Sequence, residues 1–151
     1  RFLLEIDIGY PDLEAERRML IVTTGIESQE LEAVMTGEQL IAAQRLIRHI
    51  PVGESVVDAI LTLVRNGRPE TSDIAGVPEQ VAWGPGPRAS QALMLAVRAR
   101  ALLDGRLSPS IDDVLALAGP VLRHRMALTF AARADGVGLD EVIGRLTEPL
   151  I

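Results

Sequence analysis

The stretch WGPGPRASQALMLAVRARALLDG, residues 83 to 105, constrains this chain more than any other. Two glycines and two prolines alternate in WGPGPRAS, and the chain then runs from Pro87 to Leu103 with few polar interruptions, Gln91 and Arg98 among them. Pro87 suits the first position of a helix, where an N–H would be unpaired anyway. Gly105 suits its end. A helix that is apolar nearly all round must be packed on several sides, so the one predicted over 87–103 belongs at the centre of a bundle. Composition agrees: the chain is 48% hydrophobic but only 3% aromatic. A core made of Leu, Ile, Val and Ala favours helices over a sandwich or barrel.

The 151 residues make one ordinary domain or two small ones. A net charge of -6 argues against a nucleic-acid-binding domain, although a local basic patch stays possible on these grounds. There is no cysteine, which excludes disulfides, thiolate metal sites and a cysteine nucleophile. All fifteen basic residues are arginine. Without lysine the chain cannot hold a P-loop or form a Schiff base. No apolar run approaches a membrane span and no signal-peptide pattern is present, so a cytoplasmic location is expected.

Phe2, Leu4, Ile6 and Ile8 alternate with Leu3, Glu5 and Asp7, which predicts a half-buried strand ended by Gly9 and Pro11. One strand cannot satisfy its own hydrogen bonds, so its partners are expected outside this sequence. The opening RFLLEIDIGYP starts in mid-pattern without methionine, as a fragment would. A helix is predicted from Pro11 to about Thr24, stopped by Gly25, and residues 26–35 are weakly patterned. Thr36 and Gln39 have capping-box spacing before a helix to about Arg48, which Pro51 breaks. Ser55 and Asp58 repeat that spacing more weakly before the stripe Val57, Ile60, Leu61 and Val64, ended by Asn66-Gly67.

Residues 67–87, rich in Gly, Pro, Ser and Asp, read as a long mobile loop. Ser110 caps a short helix, IDDVLALA, ended by Gly119-Pro120. VLRHRMALTFAARA carries both signals: Leu128 to Phe130 alternates like a strand, and the alanines favour the helix preferred here. Leu139–Leu146 is the last helix. The fold class expected is an all-α bundle carrying a lone leading strand.

Arg88 is the main site candidate. Cations are disfavoured in the first turn of a helix, whose free N–H groups attract anions. An arginine there fits a phosphate held between guanidinium and helix, with Gly84 and Gly86 leaving room; the bland alternative is a solvated surface arginine. Arg1 has no role from sequence alone. Arg123, His124 and Arg125 read as cations at a helix C-terminus or on a solvated face. The pairs Asp112-Asp113 and Asp140-Glu141 sit in first turns and read as structural. No metal-ligand spacing, GxSxG or HExxH occurs.

Taken in order, RFLLEIDIGYP, GPGPRAS entering ALMLAVRARALLDGR, SPSIDDVLALAGPVLRHRM and GVGLDEVIGRL resemble the C-terminal part of MoxR-family AAA+ ATPases. The resemblance covers nearly the whole chain, and DDV…LA.PVLRHR is its most specific part. It implies that residues 1–10 are the last strand of an αβα nucleotide-binding core and that residues 11–151 are the helical lid. The Walker elements would then lie upstream. The family's G-x-S-P-R-A turn is Gly84-Pro85-Gly86-Pro87-Arg88-Ala89 here, with Gly86 in place of the serine. The match makes Arg88 a sensor-2 arginine touching the terminal phosphate of ATP, beside Pro87 and Gly86. It makes Arg1, in the position of the family's LDRF arginine, a candidate finger reaching a neighbouring subunit. It further implies ATP and Mg2+ held mainly by the core, a ring-like homo-oligomer, chaperone-like remodelling and a von Willebrand factor A domain partner. The rival reading is a stand-alone helical interaction module without nucleotide.

Overall fold

The computed structural model describes residues 2–25 and 32–151, so Arg1 and the first part of the weakly patterned 26–35 stretch lie outside the described residues. The order of elements is α1 (Leu13–Thr24), α2 (Gly37–His49), α3 (Glu54–Asn66), α4 (Val77–Gln80), β1 (Val81–Trp83), α5 (Pro87–Leu103), α6 (Ile111–Leu122), a 3-10 turn (Arg123–Arg125), β2 (Ala127–Leu128), α7 (Phe130–Ala134) and α8 (Leu139–Thr147), with a final 3-10 turn, Glu148–Leu150. The all-α class holds.

The expected central helix is α5. Its stripe Ala89, Ala92, Leu93, Ala96, Val97 and Ala101 is buried, and its small residues let α3 and α6 pack close, with α2 on a further side. The core is completed by Leu63 and Val64 of α3, Val114, Val121 and Leu122 of α6, and Val142 and Leu146 of α8. By contrast, α1 and α2 bury no residue of their own. Their boundaries follow local chemistry instead. Asp12 Oδ1 accepts from the Ala15 N–H at 2.7 Å. Thr36 and Gln39 close the predicted capping box, at 2.8 and 3.2 Å.

Several expectations are corrected. The strand over residues 2–8 is not formed: an alternating segment becomes a strand only beside a partner with free ladder groups, and the described ladder pairs β1 with β2 antiparallel. Of its alternating residues, Leu4 packs on the core, whereas Phe2, Ile6 and Ile8 are exposed. The cap of α3 is Gly53, with Ser55 inside the first turn. The stripe of α3 is shifted too, to Val56, Ala59, Ile60, Leu63 and Val64; Leu61 faces solvent. The 67–87 segment is not a bare loop but holds α4 and β1.

Gly119-Pro120 does not end α6, which continues to Leu122. Proline inside a helix leaves one carbonyl without its N–H donor, and other carbonyls at this end find partners outside the helix, as described below. The ambiguous VLRHRMALTFAARA is neither one helix nor one strand. It is divided between the end of α6, the 3-10 turn, β2 and α7, whose cap Thr129 accepts from Ala132 N–H at 3.2 Å.

Candidate functional site: a cationic cleft at the start of α5

The bare turn before α5 is bare because another backbone lies against it. A Cβ on Gly84 would sit 2.3 Å from the Gly67 carbonyl oxygen and 2.7 Å from Arg68 Cα. A Cβ on Gly67 would in turn meet the Pro85 ring at 2.9 Å. Pro85 is buried, and Arg68 Nε donates to its carbonyl at 2.8 Å. The end of α3 therefore clamps the turn and aims the start of α5. Gly86 differs: it caps α5 with φ -80°, and a Cβ there would meet nothing within 4 Å. The backbone does not demand glycine at the position where the resembling family carries serine.

Arg88 sits in the first turn of α5, exposed, and has no hydrogen-bond or ion-pair partner among the described residues. With Trp83, Gly84, Gly86, Gln91, His124 and Arg125 it lines an open cleft of about 740 Å³. The β1–β2 ladder explains the assembly. Trp83 pairs with Ala127, so the residues just after β1 come beside those just before β2. A contact between residues far apart in sequence, Arg88 and Arg125, is thus made by five residues of sheet.

Of the two readings from sequence, the Arg123–Arg125 triplet fits cations at a helix C-terminus and not a solvated face. Arg125 Nη1 donates to Val121 O and, at 3.2 Å, to Leu3 O, while Nη2 donates to Phe2 O. His124 Nε2 lies 3.3 Å from Phe2 O, a contact that needs the Nε2–H tautomer. Arg123 donates from Nε to Asp140 and reaches Asp7 at 3.5 Å. Burial pushes the Arg125 pKa down, and its described acceptors are carbonyls without formal charge. The Asp140 carboxylate beside Arg123 raises that guanidinium's pKa. Glu5 lies 3.9 Å from His124 Nδ1. No residue pattern announced that His124 and Arg125 join Arg88, because the link is a two-strand ladder too short to read.

At the far end of α5 the structural reading of Asp113 holds and gains detail. Asp113 is buried and accepts from Arg106 through both oxygens, at 2.7 and 2.8 Å, from Arg100 Nε at 3.1 Å and from the Ser110 N–H at 2.8 Å. The Arg106 hydrogen bonds outweigh the burial and hold its pKa at about 2. Arg106 is shifted upward by the same bonds. This carboxylate ties the end of α5 to the start of α6. Asp140 points to Arg123, so the second acidic pair is structural as well.

Among the described residues no group of three or more His, Cys, Asp or Glu could hold a metal, and no helix is long and apolar enough to cross a membrane.

Residues 76–146 match the AAA lid domain family, a span that starts at the cap of α4 and ends in α8. The chain is 33% identical over 149 residues to Chaperone MoxR1 of Mycobacterium tuberculosis, covering 98% of this chain and 39% of that protein. It is 32% identical to the uncharacterized protein YeaC of Bacillus subtilis, covering 95% of this chain and 42% of that one. A crystal structure of a candidate ATPase from Cytophaga hutchinsonii superposes with a TM-score of 0.88 at 23% identity, over 97% of this chain and 45% of the other, which shows a shared fold. The chain thus spans about two fifths of the curated relatives it matches. Residues 76–146 are thus similar to an AAA lid domain, and nearly the whole chain is similar to part of Chaperone MoxR1.

Proposed function

We propose that this chain is the lid portion of a MoxR-type AAA+ ATPase and that Arg88 is its sensor-2 arginine. The observation that carries the reading is the guanidinium of Arg88, without a partner among the described residues, in the first turn of α5 and in an open cleft it shares with His124 and Arg125. Hydrolysis of ATP spreads negative charge over the transferring phosphoryl oxygens. A guanidinium already aimed at that charge stabilises it without reorganising, and its planar fork can meet two phosphate oxygens. Gly86 leaves the start of the helix without a side chain, and Pro87 lines the cleft beside it. Mg2+ would be held mainly by an upstream core.

In this reading residues 1–10 close that core and residues 11–151 are the lid. Arg88 draws the lid onto bound ATP and releases it after phosphate leaves. The clamped turn implies that the lid swings as a body, rather than by flexing of a loose 67–87 loop. Arg1 is the candidate finger toward a neighbouring subunit of a ring-like homo-oligomer, in the cytoplasm where ATP is abundant. A von Willebrand factor A domain protein is the proposed partner for chaperone-like remodelling.

The test is Arg88→Ala in the full-length protein. Loss of one transition-state donor is expected to lower kcat by about 10²–10³. The melting temperature should stay within about 1 °C, because an exposed, unpaired side chain contributes little to folding. Unchanged turnover would remove Arg88 from the site.

A further inference from the structure

A second cleft adjoins the first across Arg88 and has a wall made from the N-terminal segment. Phe2 and Leu3 line it together with Arg88, Gln91, His124 and Arg125. What keeps that segment there is the end of α6. The last carbonyls of a helix have no intrahelical donors and must find others. Here Pro120 O accepts the Glu5 N–H at 2.8 Å, and Val121 O accepts from Arg125. Arg125 then turns its remaining N–H groups to Phe2 O and Leu3 O, His124 adds a contact to Phe2 O, and Arg123 reaches Asp7. One guanidinium therefore joins a helix end to two consecutive carbonyls of a segment more than a hundred residues away. Leu4 packs on the core beneath it.

We propose that Arg125, flanked by Arg123 and His124, is a positioning residue that holds residues 2–7 against the rim of the Arg88 cleft while the lid lies on the core, so that the segment closing the core and Arg88 keep a fixed mutual position there. Three features favour this over a simple surface contact. Arginine's rigid fork can hold three carbonyls in fixed directions, which a lysine's single ammonium cannot. The segment has no ladder of its own, so these side chains supply much of its attachment. The guanidinium that grips the segment lines the same cleft as Arg88. The inference deepens the proposed function and rests on it for the consequence for ATP, while the attachment itself stands apart from that reading.

The test has two arms. The first is hydrogen exchange on the 151-residue chain: Arg125→Ala should abolish protection of the Glu5 amide and leave the amides of α3 and α5 protected. A Glu5 amide that stays protected would overturn the proposal. Arg125→Lys is the second variant should alanine loosen the fold; it keeps the charge but not the fork, and is expected to behave like alanine at Glu5. Full rescue by lysine would refute positioning through three carbonyls.

The second arm measures ATP affinity of the full-length protein. Arg125→Ala and Arg88→Ala should each weaken it about tenfold, and the double variant no further than either alone, because both losses pass through one guanidinium. Losses that multiply would overturn positioning. If Arg88→Ala changes neither affinity nor turnover, the proposed function fails, and the exchange arm still decides whether Arg125 anchors the segment.

Discussion

Replacing Asp113 by asparagine removes one charge from a buried site while keeping the shape. In the native structure this carboxylate receives five donor groups: both Arg106 terminal nitrogens, Arg100 Nε, the Ser110 N–H and, at 3.4 Å, the Ser110 hydroxyl. Its pKa of about 2 lies below the ordinary 3.8. A group with a depressed folded pKa stabilises the fold fully above its unfolded pKa and loses that contribution as pH falls through the folded value. The shift corresponds to about 2 kcal/mol, present above pH ~4 and gone near pH 2. Asp113→Asn should therefore cost on the order of 2 kcal/mol at pH 7, a fall of roughly 4–8 °C in Tm for a domain of this size. Asp113→Ala also strands the Ser110 N–H and both arginines. Its cost should approach but not exceed the ~3–5 kcal/mol typical of a broken buried pair, because Arg100 and Arg106 are part-exposed and rehydrate. Urea titrations followed by circular dichroism at pH 7, 5, 3 and 2 measure this directly. The gap between native and Asp113→Asn proteins should close as pH falls from 4 to 2. No gap at pH 7, or one that persists unchanged at pH 2, would refute the reasoning.

The two glycines of the turn make opposite predictions. Gly84→Ala forces a Cβ to 2.3 Å from the Gly67 carbonyl and should destabilise by about 1–3 kcal/mol or more, read from the denaturant midpoint; a neutral effect would mean α3 does not clamp the turn. Gly86→Ser enters open space at the cap of α5. It should stabilise by about 0.5–1 kcal/mol through capping and a less flexible unfolded chain, visible as a small rise in Tm.

Much of the helical framework was legible because its signals are local. Pro87 and the apolar run to Leu103 marked α5 residue for residue, and Thr36 with Gln39 marked α2. Failures came where a segment's state depends on a partner. The alternation at residues 2–8 satisfies a strand pattern, yet no ladder forms, and the unpromising 81–83 and 127–128 form one because each lies beside the other. Pro120 read as a helix breaker, but carbonyls at that end of α6 are taken up by Glu5 and Arg125 and the helix runs on. The phase of α3 slipped by one residue because two rows of its side chains are apolar and only packing chooses between them.

The same division holds at the candidate site. The sequence alone determined that a helix starts at Pro87, that Arg88 lies in its first turn against the helix dipole, and that no lysine could serve a P-loop here. These follow from covalent chemistry and short-range geometry. Tertiary structure decided that Gly84 must be glycine while Gly86 need not be, and that His124 and Arg125 share the cleft of Arg88. It also decided that Arg125 is spent on the carbonyls of residues 2 and 3 instead of on water. Each of these rests on a contact between distant parts of the chain, and such contacts are set by which surfaces the core leaves adjacent, not by any residue's own preference.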